Sequence, residues 1–112
     1  MSPIRLTQAT ALILQALATG RCHGFQVMEA TGLPSGTVYP VLRRLEREAA
    51  VESHWEKDET AREAGRRTRR VYRLTESGVL LADRARQRLA DTARLLSATG
   101  FDGATPSGAN GG

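Results

Sequence analysis

Two stretches of this chain carry side chains whose types and spacing could do chemistry. In the first that chemistry is the binding of phosphate and of base edges, and in the second the binding of phosphate. The first is SGTVYPVLRR, residues 35 to 44, with hydroxyls at a helix start and arginines a turn or more further on. A helix N-terminus carrying Ser35 and Thr37 offers hydroxyls and open backbone amides to a phosphate. Tyr39 can pack on a sugar or a thymine methyl while its hydroxyl reaches phosphate. Arg43 can address guanine O6/N7 or a second phosphate, with Arg44 beside it. The second stretch is basic: Arg66, Arg67, Arg69, Arg70 and Arg73 fall within eight residues that contain no acid. Each reading has a bland alternative. An arginine run is commonly a solvated face. Thr37 could simply cap its helix, and Tyr39 could pack in the core beside Val38 and Leu42.

No comparable set supports catalysis. Neither His23 nor His54 has a cysteine or carboxylate at metal-binding spacing. His23, between Cys22 and Gly24 at a helix start, suits a capping or core role. His54 should face outward between Glu52 and Glu56. Asp58, Glu59 and Glu63 lack apolar shielding that would raise a pKa. No glycine-rich phosphate loop follows a strand, and G-x-S-x-G is absent. Cys22 is the single cysteine, which excludes an internal disulfide and a multi-cysteine zinc site. No enzyme, metal or cofactor is expected.

The whole chain agrees with a binding role. Its 112 residues are 40% hydrophobic, 25% charged and 4% aromatic. That suits one compact domain and is too small for a large α/β enzyme with a substrate cleft. No apolar run approaches the roughly 20 residues that span a bilayer. The opening MSPIRLTQAT lacks a basic-then-apolar signal layout, so a cytoplasmic location is expected. Sixteen basic against twelve acidic residues give a net charge of +4, with Lys57 the single lysine. Arginine's planar fork suits bidentate contacts to phosphate and guanine. A GC-rich genome also favours arginine, so the clustering matters more than the ratio.

The elements that must position these residues follow from periodicity. Ala9, Leu12, Ile13, Ala16 and Leu17 mark an amphipathic helix capped by Thr7 and stopped by Gly20. A shorter helix from about Gly24 to Ala30 adds Phe25, Val27 and Met28 to the core and ends at Gly32. A third, capped by Ser35 and running to about Glu48, has Val38, Val41, Leu42 and Leu45 as its apolar stripe. Pro40 sits near the limit of what a first turn tolerates, which suggests that its shape is used. Val51–Glu56 alternates as a strand with Val51, Ser53 and Trp55 on one face, and Thr68–Leu74 as a second. Residues 57 to 67 read as a loop between them. Two strands around a basic loop after three helices make a wing. Thr75 then caps a long helix to about Thr99. The glycine-rich residues 100–112 read as a disordered tail. The fold class is mainly α with a small two-stranded β-wing. The expected division is a winged helix-turn-helix domain at 1–74, a C-terminal dimerisation helix at 75–99 and the tail.

The order of motifs carries a resemblance. The run ATGLPSGTVYPVLRRLERE, preceded by HGF and followed by a strand, a basic loop and VYRLTESG, resembles the PadR family of bacterial winged-helix transcriptional regulators, in its short C-terminal-helix type. The resemblance covers residues 8 to 90, and PSGTVYPVLRRLE is its most specific part. It implies that the helix carrying S-x-T-x-Y-P enters the DNA major groove and that the wing reaches the flanking backbone. It thereby implies Ser35, Thr37, Tyr39, Pro40, Arg43 and Arg44 near DNA, and dimerisation through one C-terminal helix. Two features depart from the family pattern. Ala49-Ala50 stands where a glycine usually ends the recognition helix. The acids Asp58, Glu59 and Glu63 would repel phosphate, which leaves Arg66, Arg67, Arg69 and Arg70 as the wing's contacts.

On the last helix, Ala82, Ala85, Leu89, Thr92 and Leu96 form a heptad seam. The bland reading packs that stripe on the chain's own first helix. A helix of about 25 residues spans roughly 37 Å, longer than a small winged domain covers, so part of the seam should seek a partner. The resulting expectation is a homodimeric repressor on a pseudo-palindromic operator in double-stranded DNA. The alternatives are a winged-helix protein-interaction adaptor and a non-specific DNA-binding protein. With no aromatic between Val79 and Gly100 to stack a planar ligand, a small-molecule effector is left unassigned.

Overall fold

Thr7 begins the first helix by accepting the Thr10 amide at 3.1 Å. The computed structural model describes residues 5–98, so the expected tail at 100–112 and the expected helix end at Thr99 lie outside the described residues. Helix α1 runs Gln8–Ala18, and Gly20 leaves it at φ 101°. Its buried residues are Thr10, Ala11, Ile13, Leu14, Ala16 and Leu17, a wider arc than the expected stripe, with Ala9 and Leu12 only half-buried. The reason is position: α1 is the central helix, packed on by elements from the rest of the chain. Thr10 tolerates full burial because its hydroxyl is held by Arg44 and Thr7, each at 3.0 Å.

Helix α2 runs Gly24–Thr31. The Gln26 side chain accepts the amides of Cys22 (3.0 Å) and His23 (3.2 Å), tying off the entry. Phe25, expected in the core, is 60% exposed. It sits two residues from buried Val27, about 200° around the helix, so an eight-residue helix with one inward face turns it outward.

Helix α3 runs Ser35–Arg47, with Val38, Leu42 and Leu45 fully buried. Its N-cap is Pro34 rather than the expected Ser35. The extended Pro34 presents its carbonyl to the amides of Thr37 and Val38, both at 3.0 Å, and so closes the first turn. Beyond α3 the chain turns at Ala49, whose φ of 62° is the left-handed region that glycine favours. That explains the glycine expected at this corner. The bend is pinned instead: the Ala49 carbonyl accepts the hydroxyls of Thr75 (2.6 Å) and Ser77 (3.1 Å).

The wing pairs β1, Val51–Trp55, antiparallel with β2, Arg70–Leu74, from Val51 opposite Leu74 to Trp55 opposite Arg70. Both strands are shorter than expected. Between them, where a loop was expected, lies a short helix α4, Asp58–Glu63. Its acids Asp58 and Glu59 occupy the first turn, at the positive end of the helix dipole, and Ala61 is buried beneath it. Six residues are too few for a helical period to show in the sequence.

Helix α5 runs Glu76–Ala98, capped as expected by Thr75, whose hydroxyl accepts the Gly78 amide at 3.1 Å. Leu81, Ala82 and Ala85 are buried in the core that includes α1, and Leu89 packs against its edge. The expected seam is therefore divided. Ala82 and Ala85 belong to the chain's own core, because small residues let α5 lie close to α1. Past Leu89 no residue of the helix is buried. The radius of gyration is 16.6 Å, against about 13 Å for a compact domain of 100 residues, as a projecting helix requires.

Candidate nucleic-acid interface

The start of α3 is open. Pro34 occupies its cap without a side-chain hydrogen bond, and Ser35 and Gly36 are exposed. These are the first two amides of a 13-residue helix, which have no partner within it. They stand at the positive end of the helix dipole. Gly36, Pro40, Arg43 and Arg47 follow at steps of four, three and four, and all four are exposed. They form one outward stripe opposite Val38, Leu42 and Leu45. Pro40 lacks the amide that would bond the Gly36 carbonyl, and that gap falls on this outward face. Thr37 is half-buried beside it. Arg47 was not singled out from the sequence, although its four-residue step from Arg43 is the signal that finds it.

Two residues expected at DNA turn inward. The half-buried Tyr39 ring lies over Gly24, so closely that a side chain at that position would have to displace it. Arg44 reaches back to Thr10 on α1 and ties the two helices together. Neither lies on the outward stripe.

The wing arginines divide in the same way. Glu56, with a side chain only 8% exposed, is gripped by the Arg66 guanidinium and accepts the Arg69 amide at 2.9 Å. The Arg69 Nε stands 3.8 Å from the same carboxylate. The Arg66 hydrogen bond outweighs burial and, with the Arg69 amide and both positive charges, holds the Glu56 carboxyl at about 2. Arg70 donates to Ser53 at 2.9 Å, stands 3.7 Å from Glu46 on α3 and lies 5.2 Å from the centre of the Trp55 ring. Of the four, Arg67 is exposed and pairs with no acid among the described residues. Arg62, exposed on α4, shares a shallow groove with it. The sequence could not supply Arg62, because α4 itself was not legible.

The Glu56 network carries a pH dependence. A carboxyl at about 2 when folded, against 4.5 ordinarily, contributes stability that is complete above pH 4.5 and is lost as pH falls towards 2. Glu56→Gln should therefore flatten the fall in stability across that window, read from urea melts at stepped pH. An unchanged acid limb would show that the ion pair does not operate in solution.

An outward stripe on a third helix, flanked by a basic wing and followed by one long helix, is matched by a known family. The description of the transcriptional regulator PadR-like family fits residues 13–83. The chain belongs to the PadR family. Solved structures share its fold. A PadR family transcription regulator from Clostridium difficile has a TM-score of 0.67 at 20% identity, over 83% of this chain and 98% of that one. Lactococcus lactis ZitR, solved in complex with DNA, has a TM-score of 0.63 at 20% identity, over 88% of this chain and 63% of that one. The PcaV regulator of Streptomyces coelicolor has a TM-score of 0.68 at 23% identity, over 83% of this chain and 62% of that one. This PadR chain thus spans nearly the whole of the first and somewhat under two thirds of the other two. No curated protein matches it in sequence. PadR proteins are DNA-binding transcriptional regulators, a class distinct from enzymes. Among the described residues, no helix is long and apolar enough to cross a membrane.

Proposed function

We propose that this PadR protein is a homodimeric repressor that reads a pseudo-palindromic operator. In this reading residues 1–74 bind DNA and residues 75–99 associate two copies. The observation that carries it is the outward stripe of α3. Open amides at Ser35 and Gly36, an exposed proline and two exposed arginines share one helical face. Ser35, Thr37 and Pro40 then lie against backbone and sugar, Arg43 reaches a base edge, and Arg67 with Arg62 meets flanking phosphate. Tyr39, Arg44, Arg66, Arg69 and Arg70 hold the reading helix and wing in place. Association rests on the outer half of α5: Leu89, Thr92 and Leu96 of the seam, with Leu95 beside them.

Arg43→Ala tests the reading. It should weaken operator binding by about 1–3 kcal/mol and relax preference at one base position in each half-site, as footprinting on a substituted operator series would show. Equal weakening on every duplex would make Arg43 a phosphate contact and contradict its base-reading role.

A further inference from the structure

Between the start of α2, the middle of α3 and both wing strands lies a cavity of about 330 Å³. Its walls include His23, Gly24, Phe25, Tyr39, Trp55 and Arg69. We propose that this cavity seats one phosphodiester of the DNA backbone with its adjoining deoxyribose. The contact is made by α2 and the wing, apart from the outward stripe of α3.

Unpaired donors are the first support. His23 is only 9% exposed, lines the cavity and keeps an Nδ1 with no hydrogen-bond partner among the described residues. The Nε of Arg69, another lining residue, is likewise buried without one. Buried polar atoms are ordinarily paired, so two unpaired ones in the walls of a single cavity mark a missing partner. That partner must be an acceptor. A guanidinium can only donate, and an imidazole nitrogen donates when it carries the ring proton. The amides of Gly24 and Phe25, the first two of α2, have no partner within the helix and stand at the positive end of its dipole. No acid lines the cavity among the described residues. Glu56, 3.8 Å from the Arg69 Nε, is already gripped by Arg66 and accepts the Arg69 amide. An anion that only accepts hydrogen bonds, as a phosphodiester does, answers this set of donors.

Apolar surface decides between a free phosphate and a nucleic-acid backbone. Phe25 and Trp55 stand 60% and 61% exposed on two walls of the cavity. A free phosphate has no apolar surface to lay against them, whereas the deoxyribose beside a phosphodiester does. Arg70 lies over the Trp55 ring, 5.2 Å from its centre, and adds positive charge on the wing side. The Tyr39 ring, lying over Gly24, closes the side towards α3.

Position gives the seat its purpose, and this step rests on the DNA binding proposed above. The cavity lies between α3, whose stripe reads bases, and the wing, whose Arg62 and Arg67 meet flanking phosphate. A backbone phosphate held there is a fixed point between the two and sets the register of the reading helix on the duplex. Such a contact carries no sequence information, so it strengthens binding to every duplex alike.

The test has one arm without duplex and one with it. In the first, amide NMR spectra of the full chain are followed as thymidylyl-thymidine, two deoxyribonucleosides joined by a single phosphodiester, is added. The Gly24 and Phe25 amides should shift with a dissociation constant on the order of 1–10 mM, as befits so small a fragment. Emission of Trp55, the single tryptophan, should change with them. The uncharged methylphosphonate analogue and inorganic phosphate should each bind at least about tenfold more weakly. No shift at these amides, or equal binding of the methylphosphonate, would overturn the site. Equal binding of inorganic phosphate would make it a free-anion site and overturn the backbone assignment. In the second arm Phe25→Glu is compared with Phe25→Gln, so that only a negative charge at the cavity differs. Phe25→Glu should bind a random duplex and one enriched from genomic fragments about tenfold more weakly than Phe25→Gln does. Its slope of log affinity against log salt should be shallower by about 1 for each bound copy. Gln87→Glu makes the same change on an exposed position of α5, about 200° around the helix from Leu89. It should alter affinity by less than about twofold. Equal affinities of the two Phe25 variants, or an equal loss in Gln87→Glu, would overturn the seat. A loss confined to the enriched duplex would make this surface a base contact and overturn the backbone assignment. A wild-type protein that binds no duplex would strike the proposed function alone, because the dinucleotide titration needs none.

Discussion

Glutamate at both Leu95 and Leu96 should yield a folded monomer whose operator affinity is at least about a hundredfold lower. The two leucines are 64% and 45% exposed on the part of α5 that runs beyond the chain's own core. Covering the exposed parts of the two leucines contributes about 1–2 kcal/mol each, and four are covered when two copies meet. One reading helix spans only a few base pairs, so a single copy binds too weakly to select a site among genomic competitors. Tethering the second helix makes its binding intramolecular, and that gain disappears with the dimer. The pair is chosen over Leu89 and Leu96 because Leu89 also packs against the chain's own core, where a charge would disturb the fold. Sedimentation separates the outcomes. An unchanged dimer with normal affinity would place the interface elsewhere, with the exposed Val79 and Leu80 the next candidates.

The second large effect concerns the fold that positions the reading helix. A Cβ on Gly78 would lie 1.9 Å from the Ala50 carbonyl oxygen and 2.9 Å from its carbon. That oxygen also accepts the Thr75 amide at 3.0 Å, so it cannot retreat without breaking the junction between α3, β1 and α5. Gly78→Ala should therefore destabilise the protein by about 3 kcal/mol, the upper end for overpacking, and lower the melting temperature by roughly 10–20 °C. Gly36→Ala is the matched control. Its Cβ would meet nothing within 4 Å, and alanine is the better helix former, so stability should hold or rise slightly. Equal melting temperatures for wild type and Gly78→Ala would contradict the close approach at this corner.

The sequence was most legible where a long period or a strong local signal existed. The first and third helices, the Thr7 and Thr75 caps and the two wing strands all follow from spacing and capping chemistry. The family itself was legible because PSGTVYPVLRRLE places its unusual residues in one order. What failed was geometry set by partners distant in sequence. Phe25 reads as apolar and hence buried, but only packing decides which side of an eight-residue helix faces inward. Arg44 and Arg66 read like any other arginines in a basic run. Thr10 and Glu56, respectively 34 and 10 residues away, turn them into internal fastenings. Tyr39 carries the right chemistry for DNA, yet Gly24 gives its ring a place to lie. The heptad seam was real as a pattern, but a pattern cannot divide itself between the chain's own first helix and a second copy. Ala82 and Ala85 fall on one side of that division.

The most direct test of sequence-specific DNA reading combines selection and salt. Genomic fragments retained by the purified protein would be sequenced, and an enriched fragment titrated beside a random one across a range of salt concentrations. If the dimer neutralises about 6–10 phosphates, log affinity should fall against log salt with a slope of about −5 to −9 for the enriched fragment. That fragment should also bind at least about a thousandfold more tightly than the random one at physiological salt. A flat salt response, or equal affinity for both fragments, would contradict sequence-specific reading of DNA by this protein.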